Sequence, residues 1–200
     1  MQDRPPLHLV RKQAALRLEE QADDDLMLLS RAGRQDAFEA LVQRHQRLVL
    51  GLTTRFFGDA GAGRDVAQDV FLAIWAGRER YRAQGQFRSY LVSVALNRCR
   101  HVARGSKRHA EKLADLARDG GQEADPRALP LPALIERERR QEVRQALTQL
   151  PERCREVMIL RFTHSMSLDE IAAATGMPPG TVKSHLSRGI KRLRRALGRG

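Results

Sequence analysis

Apolar residues recur along most of this chain at steps of three and four, and nowhere over a useful length do they alternate with polar ones. Phe38, Leu41, Val42, His45, Leu48, Val49, Leu52 and Phe56 mark the inner face of a long helix. Ahead of it stand the acidic run Asp23-Asp24-Asp25 and a first short helix over residues 26–32, and negative charge suits a helix N-terminus. After the glycine-rich loop at residues 58–63, Val66, Val70, Phe71, Ile74 and Trp75 predict a second long helix. Leu91, Val94, Ala95, Cys99 and Val102 predict a third, beginning near Ser89. The pattern over residues 24–103 is that of an all-helical bundle.

The C-terminal part, residues 137–200, is patterned differently. Val143, Leu147 and Leu150 close one helix, and Pro151 is placed to open the next, which carries Val157, Leu160 and Arg161 on successive turns. Ser167-Leu168-Asp169-Glu170 has the spacing of a capping box, so a helix starts there and runs over residues 168–174. Thr175-Gly176-Met177-Pro178-Pro179-Gly180 then turns the chain into a final helix beginning at Thr181. Val182, Leu186, Ile190, Leu193 and Leu197 form its buried stripe, leaving Thr181, Lys183, Ser184, Ser187, Arg188, Lys191 and Arg192 on the opposite side. A short helix, a glycine turn and a basic second helix make a helix-turn-helix.

Between the two parts, Gly105-Ser106, Gly120-Gly121 and Pro126, Pro130 and Pro132 interrupt any helical period, and residues 104–136 read as a flexible linker. Residues 1–23 form an N-terminal extension, either disordered or a short helix. The expected fold is therefore all-α, with two small helical domains on a linker.

Charge sharpens this picture. The chain carries 36 Lys+Arg against 24 Asp+Glu, a formal +12, and the excess lies in residues 24–100 and 141–200 rather than in the linker. Such a balance points to a polyanionic partner. From Lys183 to Gly200 there are seven Lys/Arg and no acid, an arrangement suited to a phosphate backbone. Short Thr181, Ser184 and Ser187 adapt to base edges, while Lys183, His185 and Arg188 reach further, Arg188 having the fork for a bidentate guanine contact. A solvated basic face, or a helix-turn-helix used for protein contact, is the alternative.

Other chemistries are poorly supplied. Cys99 and Cys154 stand far apart with no CxxC, and both read as small buried hydrophobes. His101 and His164 complete no zinc pattern with them, so no metal site is expected. No Gly-rich phosphate loop, HExxH or GxSxG occurs, so neither a catalytic residue nor a cofactor is expected. Apolar runs stop well short of the roughly 18–20 residues needed to cross a bilayer. The start of the chain lacks the features of a secretory signal, which places the protein in the cytoplasm, without membrane insertion.

The stretch from Gln145 to Leu197, QALTQLPERCREVMILRFTHSMSLDEIAAATGMPPGTVKSHLSRGIKRLRRAL, resembles the fourth domain of bacterial RNA polymerase sigma factors, particularly the extracytoplasmic-function (ECF) group. Upstream, DAFEALVQRHQRLVLGL, GRDVAQDVFLAIW and FRSYLVSVALNRCRHVAR resemble that group's second domain, in the right order. The resemblance implies a non-catalytic factor that binds core RNA polymerase, directs it to promoter DNA and helps open the duplex. It implies that Asp65, Gln68, Asp69, Phe71, Ile74 and Trp75 meet the polymerase, some of them doubling as bundle core. It implies that Gln86, Phe87, Arg88, Ser89, Asn97, Arg98 and Arg100, on the loop that begins at Gln84 and on the third helix after it, read and hold the opened minus-ten strand. Tyr81, Phe87 and Tyr90 offer stacking there, although the spacing of Phe87 and Tyr90 favours a core position. Thr181, Lys183, Ser184, His185, Ser187, Arg188, Lys191 and Arg192 are implied at the minus-thirty-five element. The family often carries Trp where Tyr90 stands and an acid where His101 stands. An anti-sigma factor is a further implied partner.

Two other readings compete. The segment GTVKSHLSRG is also close to the recognition helix of LuxR-type regulators, but their receiver or ligand-sensing domains need strands, and none is legible upstream. A nucleic-acid enzyme holding magnesium on Asp65 and Asp69 lacks a third ligand motif.

Overall fold

The computed structural model describes residues 18, 20–113 and 131–198, and among the described residues there are eight α-helices, one short 3-10 turn and no strand. In chain order they are α1 (Asp23–Arg31), α2 (Gln35–Phe57), α3 (Ala60–Ala76), the 3-10 turn Arg78–Arg80, α4 (Phe87–Leu113), α5 (Leu131–Thr148), α6 (Glu152–Thr163), α7 (Leu168–Thr175) and α8 (Pro179–Ala196). The expectations for residues 1–17 and 114–130 lie outside the described residues.

The apolar stripes explain the packing of the first half. Leu41, Val49, Leu52 and Phe56 of α2 face Val66, Val70 and Ile74 of α3 and Leu91, Val92, Ala95 and Leu96 of α4, all buried in one cluster. The acidic run does not precede α1 but forms its first turn, where the helix dipole favours it. It also holds the bundle together. Asp23 accepts from Arg44 (2.6 Å) and faces His45 Nε2 (2.8 Å). Burial alone would raise the Asp23 carboxyl, but the His45 and Arg44 contacts outweigh it and hold the group below the usual carboxylate range.

Glycines at 58–63 make much less of a loop than their composition suggests. Gly58 ends α2 with φ 74°, a left-handed C-cap, and Asp59 caps α3 by accepting from the Ala62 amide at 2.6 Å. Gly63 is already inside α3, where it lets the two helices touch: Thr53 Oγ1 donates to the Gly63 carbonyl at 2.7 Å, and a Cβ on Gly63 would lie 2.7–2.8 Å from backbone atoms of Thr54. Helix α4 likewise runs through Gly105-Ser106, expected to break it, and ends only at Leu113. A single glycine costs about 1 kcal/mol, too little to stop a helix already docked along its inner face. Pro132 falls in the first turn of α5, where a missing amide donor does no harm.

The second half closes on its own stripe, with Leu150, Cys154 and Met158 under Leu147, Leu186, Ile190 and Leu193. Gly189 is buried because a Cβ there would lie 2.8 Å from the Met158 side chain. Both cysteines are buried, and burial pushes the Cys99 thiol up to about 12, consistent with small core hydrophobes.

The two halves are packed together. Val157, Ile159, Leu160, Met166 and Ile171 belong to the same apolar cluster as α2 and α4. Arg155 donates to the Phe56 carbonyl (2.9 Å) at the end of α2 and stacks 5.2 Å over the Phe56 ring, while also holding the Thr148 and Leu150 carbonyls. His164, capping α6, sits against α2 so closely that a Cβ on Gly51 would be 3.6 Å from its ring. Its Nε2 is buried without a partner. Burial, helped by the nearby Arg55 and Arg88 charges, lowers its pKa to about 4.

Two expectations follow. Alanine at Gly63 gains about 1 kcal/mol of helix propensity, but the clash is with backbone that cannot swing aside, and overpacking costs about 1–3 kcal/mol. Gly63→Ala therefore unfolds at lower urea than the parent chain; an unchanged midpoint would mean that α2 and α3 separate easily. For His164 the folded pKa lies below the ordinary value of 6.5, so the unfolded chain takes up a proton first. Its contribution is intact above pH 6.5 and lost as pH falls toward about 4. Urea titrations of His164→Asn across that window should show a shallower loss of stability than the parent; parallel curves would contradict the burial.

Candidate nucleic-acid and polymerase interfaces

The helix-turn-helix is built as its residues dictate. Ser167 Oγ accepts from the Glu170 amide (3.1 Å) and Glu170 Oε2 from the Ser167 amide (2.7 Å), so the capping box of α7 is complete. Gly176, at φ 69°, ends α7, and α8 starts at Pro179, two residues earlier than the turn composition suggests, because a proline at the first helical position is already pre-set in φ. Lys183, Ser184, Ser187, Arg188, Lys191 and Arg192 are exposed on one side of α8, and Thr181 is half-buried at its start. Arg188 leans back along the helix, its Nε 3.3 Å from the Ser184 carbonyl. His185 is half-buried, its Nδ1 3.5 Å from Cys154 Sγ, and partial burial together with Arg188 and Arg153 lowers its pKa. Its ring is turned toward α6 more than the lysine and arginines around it.

The loop before α4 is held from a distance. Asp24 accepts from the Tyr81 hydroxyl (2.7 Å) and from the Gly85 amide (2.6 Å), with Gly85 at φ 68°. Tyr81, Phe87 and Tyr90 form a ring cluster with centroids 5.1–6.2 Å apart, and burial with the Asp24 hydrogen bond raises the Tyr81 phenol, which stays protonated. Gln86, Arg88 and Ser89 line a concavity of about 500 Å³ between α1 and α7. Phe87 also lines it, but at 3% exposure its ring is mostly buried in the bundle.

Further along α4 the predicted strand-facing residues already have partners. Arg98 pairs with Asp69 of α3 at 2.8 Å, which joins one residue expected at DNA to another expected at the polymerase. Arg100 makes a two-pronged contact with Glu156 of α6, 2.6 and 2.9 Å, and also bonds Asn97 Oδ1 at 2.8 Å. Arg88 donates to the His164 carbonyl at 2.7 Å.

A third surface lies between α2 and α3. Phe38, Val42, Leu50, Phe71, Leu72 and Trp75 line an apolar groove of about 560 Å³ with Gln68 on its edge. The Phe38 and Trp75 rings are 5.0 Å apart, and the Arg78 guanidinium sits 4.3 Å over Trp75. Leu72 is 58% exposed and Leu50 39%, large apolar side chains left in water beside Asp65 and Gln68, which are also exposed. Ile74 is 1% exposed and belongs to the core.

Several residues that shape these surfaces escaped the pattern reading: Asp24, Leu50, Leu72, Arg155, Glu156 and His164. Glu156 carried a usable signal, since it lies between Cys154 and Val157 in the apolar run of α6, and a carboxylate there requires a buried partner. The others lacked one, because their partners are distant in sequence.

Comparison with known proteins resolves the alternatives. Residues 41–109 match the family described as Sigma-70 region 2, and residues 140–193 the one described as Sigma-70, region 4. The RNA polymerase sigma-H factor of Pseudomonas aeruginosa is 31% identical, over 88% of this chain and 94% of its own. The ECF RNA polymerase sigma-E factor of Escherichia coli (strain K12) is 30% identical, over 85% of this chain and 91% of its own. Among solved structures, that of CnrH in complex with the cytosolic domain of CnrY is similar at 28% identity, with TM-score 0.62 and coverage of 89% of this chain and 98% of the other. The sigma factor RpoE bound to the anti-sigma factor NepR, from Bartonella quintana, shares the fold with TM-score 0.64 at 21% identity, over 80% and 96%. A region 2 match occupies the half where a LuxR-type regulator would need its receiver or sensing domain. The chain therefore belongs to the ECF group of RNA polymerase sigma factors, which direct the polymerase to promoters.

Proposed function

We propose that this sigma factor divides its work among the three surfaces described. The apolar groove of α2 and α3, lined by Gln68, Phe71 and Trp75, receives the core polymerase, with Asp65 exposed nearby on α3 and Ile74 stiffening the helix from within. Asp69, paired with Arg98, belongs to the same contact. The loop carrying Gln86, Arg88 and Ser89, with Asn97, Arg98 and Arg100 beyond it, takes the opened minus-ten strand. Phe87 holds that loop in shape. The exposed face of α8 reads the minus-thirty-five element, Arg188 toward a base and Lys183, Lys191 and Arg192 toward phosphates, with Thr181, Ser184, His185 and Ser187 filling the contact.

The observation that carries this reading is the acid-free, exposed basic face of α8 on the same chain as an unpartnered apolar groove. Phosphate neutralisation supplies affinity on one side and apolar burial on the other. The chemistry of bond formation stays with the polymerase, and this protein acts as a non-catalytic director in the cytoplasm, where polymerase and chromosome are. No described helix is long and apolar enough to cross a membrane. CnrH is seen with the cytosolic domain of CnrY and the Bartonella RpoE with the anti-sigma factor NepR, and the latter supports an anti-sigma factor as a partner of this chain too.

Two results are expected. In transcription reconstituted with purified core polymerase, Arg188→Ala lowers use of promoters that need the minus-thirty-five element by roughly 5- to 150-fold, the equivalent of about 1–3 kcal/mol, while core binding is unchanged; equal loss of both would remove Arg188 from base reading. Leu72→Lys, at an exposed position, keeps the helix content and thermal midpoint but weakens core binding at least about tenfold by placing a charge in a dry contact. Normal core binding by the folded variant would exclude the groove.

A further inference from the structure

Asp23 and Asp24 stand side by side in the first turn of α1, and their carboxylates serve different parts of the first half. Asp23 reaches α2, where it accepts from Arg44 at 2.6 Å and faces His45 Nε2 at 2.8 Å. Arg44 also donates to the Gln21 carbonyl just ahead of the helix (2.9 Å), so the start of α1 is moored to α2. Asp24 reaches the segment 81–86, which joins the 3-10 turn to α4 and belongs to no helix. One of its oxygens accepts from the Tyr81 hydroxyl at 2.7 Å and the other from the Gly85 amide at 2.6 Å. The two donors lie toward opposite ends of the segment, so a single carboxylate closes it into a ring. Tyr81 is fixed besides by burial against Phe87 and Tyr90. Gly85 has no such packing: its φ is 68°, and nothing beyond its chain neighbours lies within 4 Å of where a Cβ would stand. Glycine has more backbone freedom to lose than any other residue, so the bond to Asp24 is the contact that fixes this end of the loop.

The shape held in this way bears on what the loop reads. Gln86 and Ser89 border two concavities, the one of about 500 Å³ already described and a second of about 340 Å³ that Arg80, Arg82 and Tyr90 also line. The second combines guanidinium groups suited to phosphate with amide, hydroxyl and ring groups suited to an unstacked base. All of these side chains are carried by the clamped segment or by the residues on either side of it, so a shift at Gly85 moves donors and acceptors together. We infer that Asp24 is a positioning residue for promoter reading: by tying Tyr81 to Gly85 it sets the loop shape on which discrimination among minus-ten bases depends. This rests on the assignment of the loop to the minus-ten strand. A binding constellation has to be held to within about 0.5 Å of its productive geometry, whereas contacts to phosphate carry no sequence information. Loss of the clamp therefore blunts the choice of base more than it weakens the hold on the strand. The polymerase contact on α3 and the reading face of α8 do not pass through this carboxylate.

The test uses the full chain with core polymerase on a promoter library randomised through the minus-ten element behind a fixed minus-thirty-five element. Each promoter carries a barcode in its transcript, so sequencing the transcripts gives the base preference. Asp24→Ala should flatten that preference by at least about fivefold at one or more positions, the lower end of what one base contact discriminates. Core binding, and the preference in a matching minus-thirty-five library, should not change. Tyr81→Phe removes one donor and leaves the ring, and should flatten the same positions in part. The double variant should be no flatter than Asp24→Ala, because both changes act through one contact. Asp24→Asn, whose amide can still meet both partners, should keep the preference. Asp25→Ala is the control, since it removes a charge from the same turn at an exposed position. A preference like the parent's in Asp24→Ala, equal flattening by Asp25→Ala, or Asp24→Asn as flat as Asp24→Ala would overturn the positioning role. If Asp24→Ala does not fold, Tyr81→Phe decides alone, and a preference like the parent's overturns it. Gln86→Ala separates this role from the reading on which it rests. Flattening by Gln86→Ala without flattening by Asp24→Ala removes the clamp alone, and no change from either removes the loop from minus-ten reading and the inference with it.

Discussion

A carboxylate cannot remain charged in an apolar core without a cation against it, and the Arg100–Glu156 pair is where this chain meets that constraint. Glu156 lies in the apolar run of α6 with no exposure, and it is met by Arg153 of its own helix and by Arg100 of α4, more than fifty residues earlier. Parting the halves would rehydrate Arg100 and leave Glu156 with Arg153 alone, so each half is written with the other as part of its environment. The neighbouring contacts follow the same logic. Arg155 reaches from α6 to the end of α2, His164 caps α6 against Gly51, and Gly58 leaves room for Thr148. All four contacts sit on one seam.

That seam gives the sigma factor two sets of partners for one set of cations. Within the closed chain, Arg88 and Arg100 are occupied by groups of α6 and α7. In the proposed function these same guanidinium groups meet phosphates, which resemble the carboxylates in charge and geometry. Leu50 and Leu72 of the groove on α2 and α3, and the basic residues of α8, are exposed while the halves are packed together.

Much of this was legible in the residues. The helical periods of α2, α3, α4 and α8, the capping box at Ser167 and Glu170, and the buried character of both cysteines follow from local patterns, which act within a turn or two. The failures share a cause. Gly63 and Gly105 look like breaks in sequence but sit inside helices: Gly63 where another element comes close, and Gly105 in a helix already docked elsewhere. Asp24 looked like dipole chemistry and turned out to pin Tyr81 and Gly85, some sixty positions away. The cations of α4 were legible as cations, and Glu156 in its apolar run called for a buried partner, but which cation meets which acid was not legible, because pairing across that distance leaves no period. Nothing in the pattern announced that a chain with two recognisable halves would fold them against one another.

The central claim is that the halves are joined by this seam when no polymerase is present. Small-angle X-ray scattering of the unmodified protein at physiological salt tests it most directly. A joined chain should give a single-peaked distance distribution and a radius of gyration near the roughly 17 Å of a compact chain of this length. Two separated maxima, with a radius that does not change when Glu156 is replaced, would mean that the halves move independently and that the seam does not hold them.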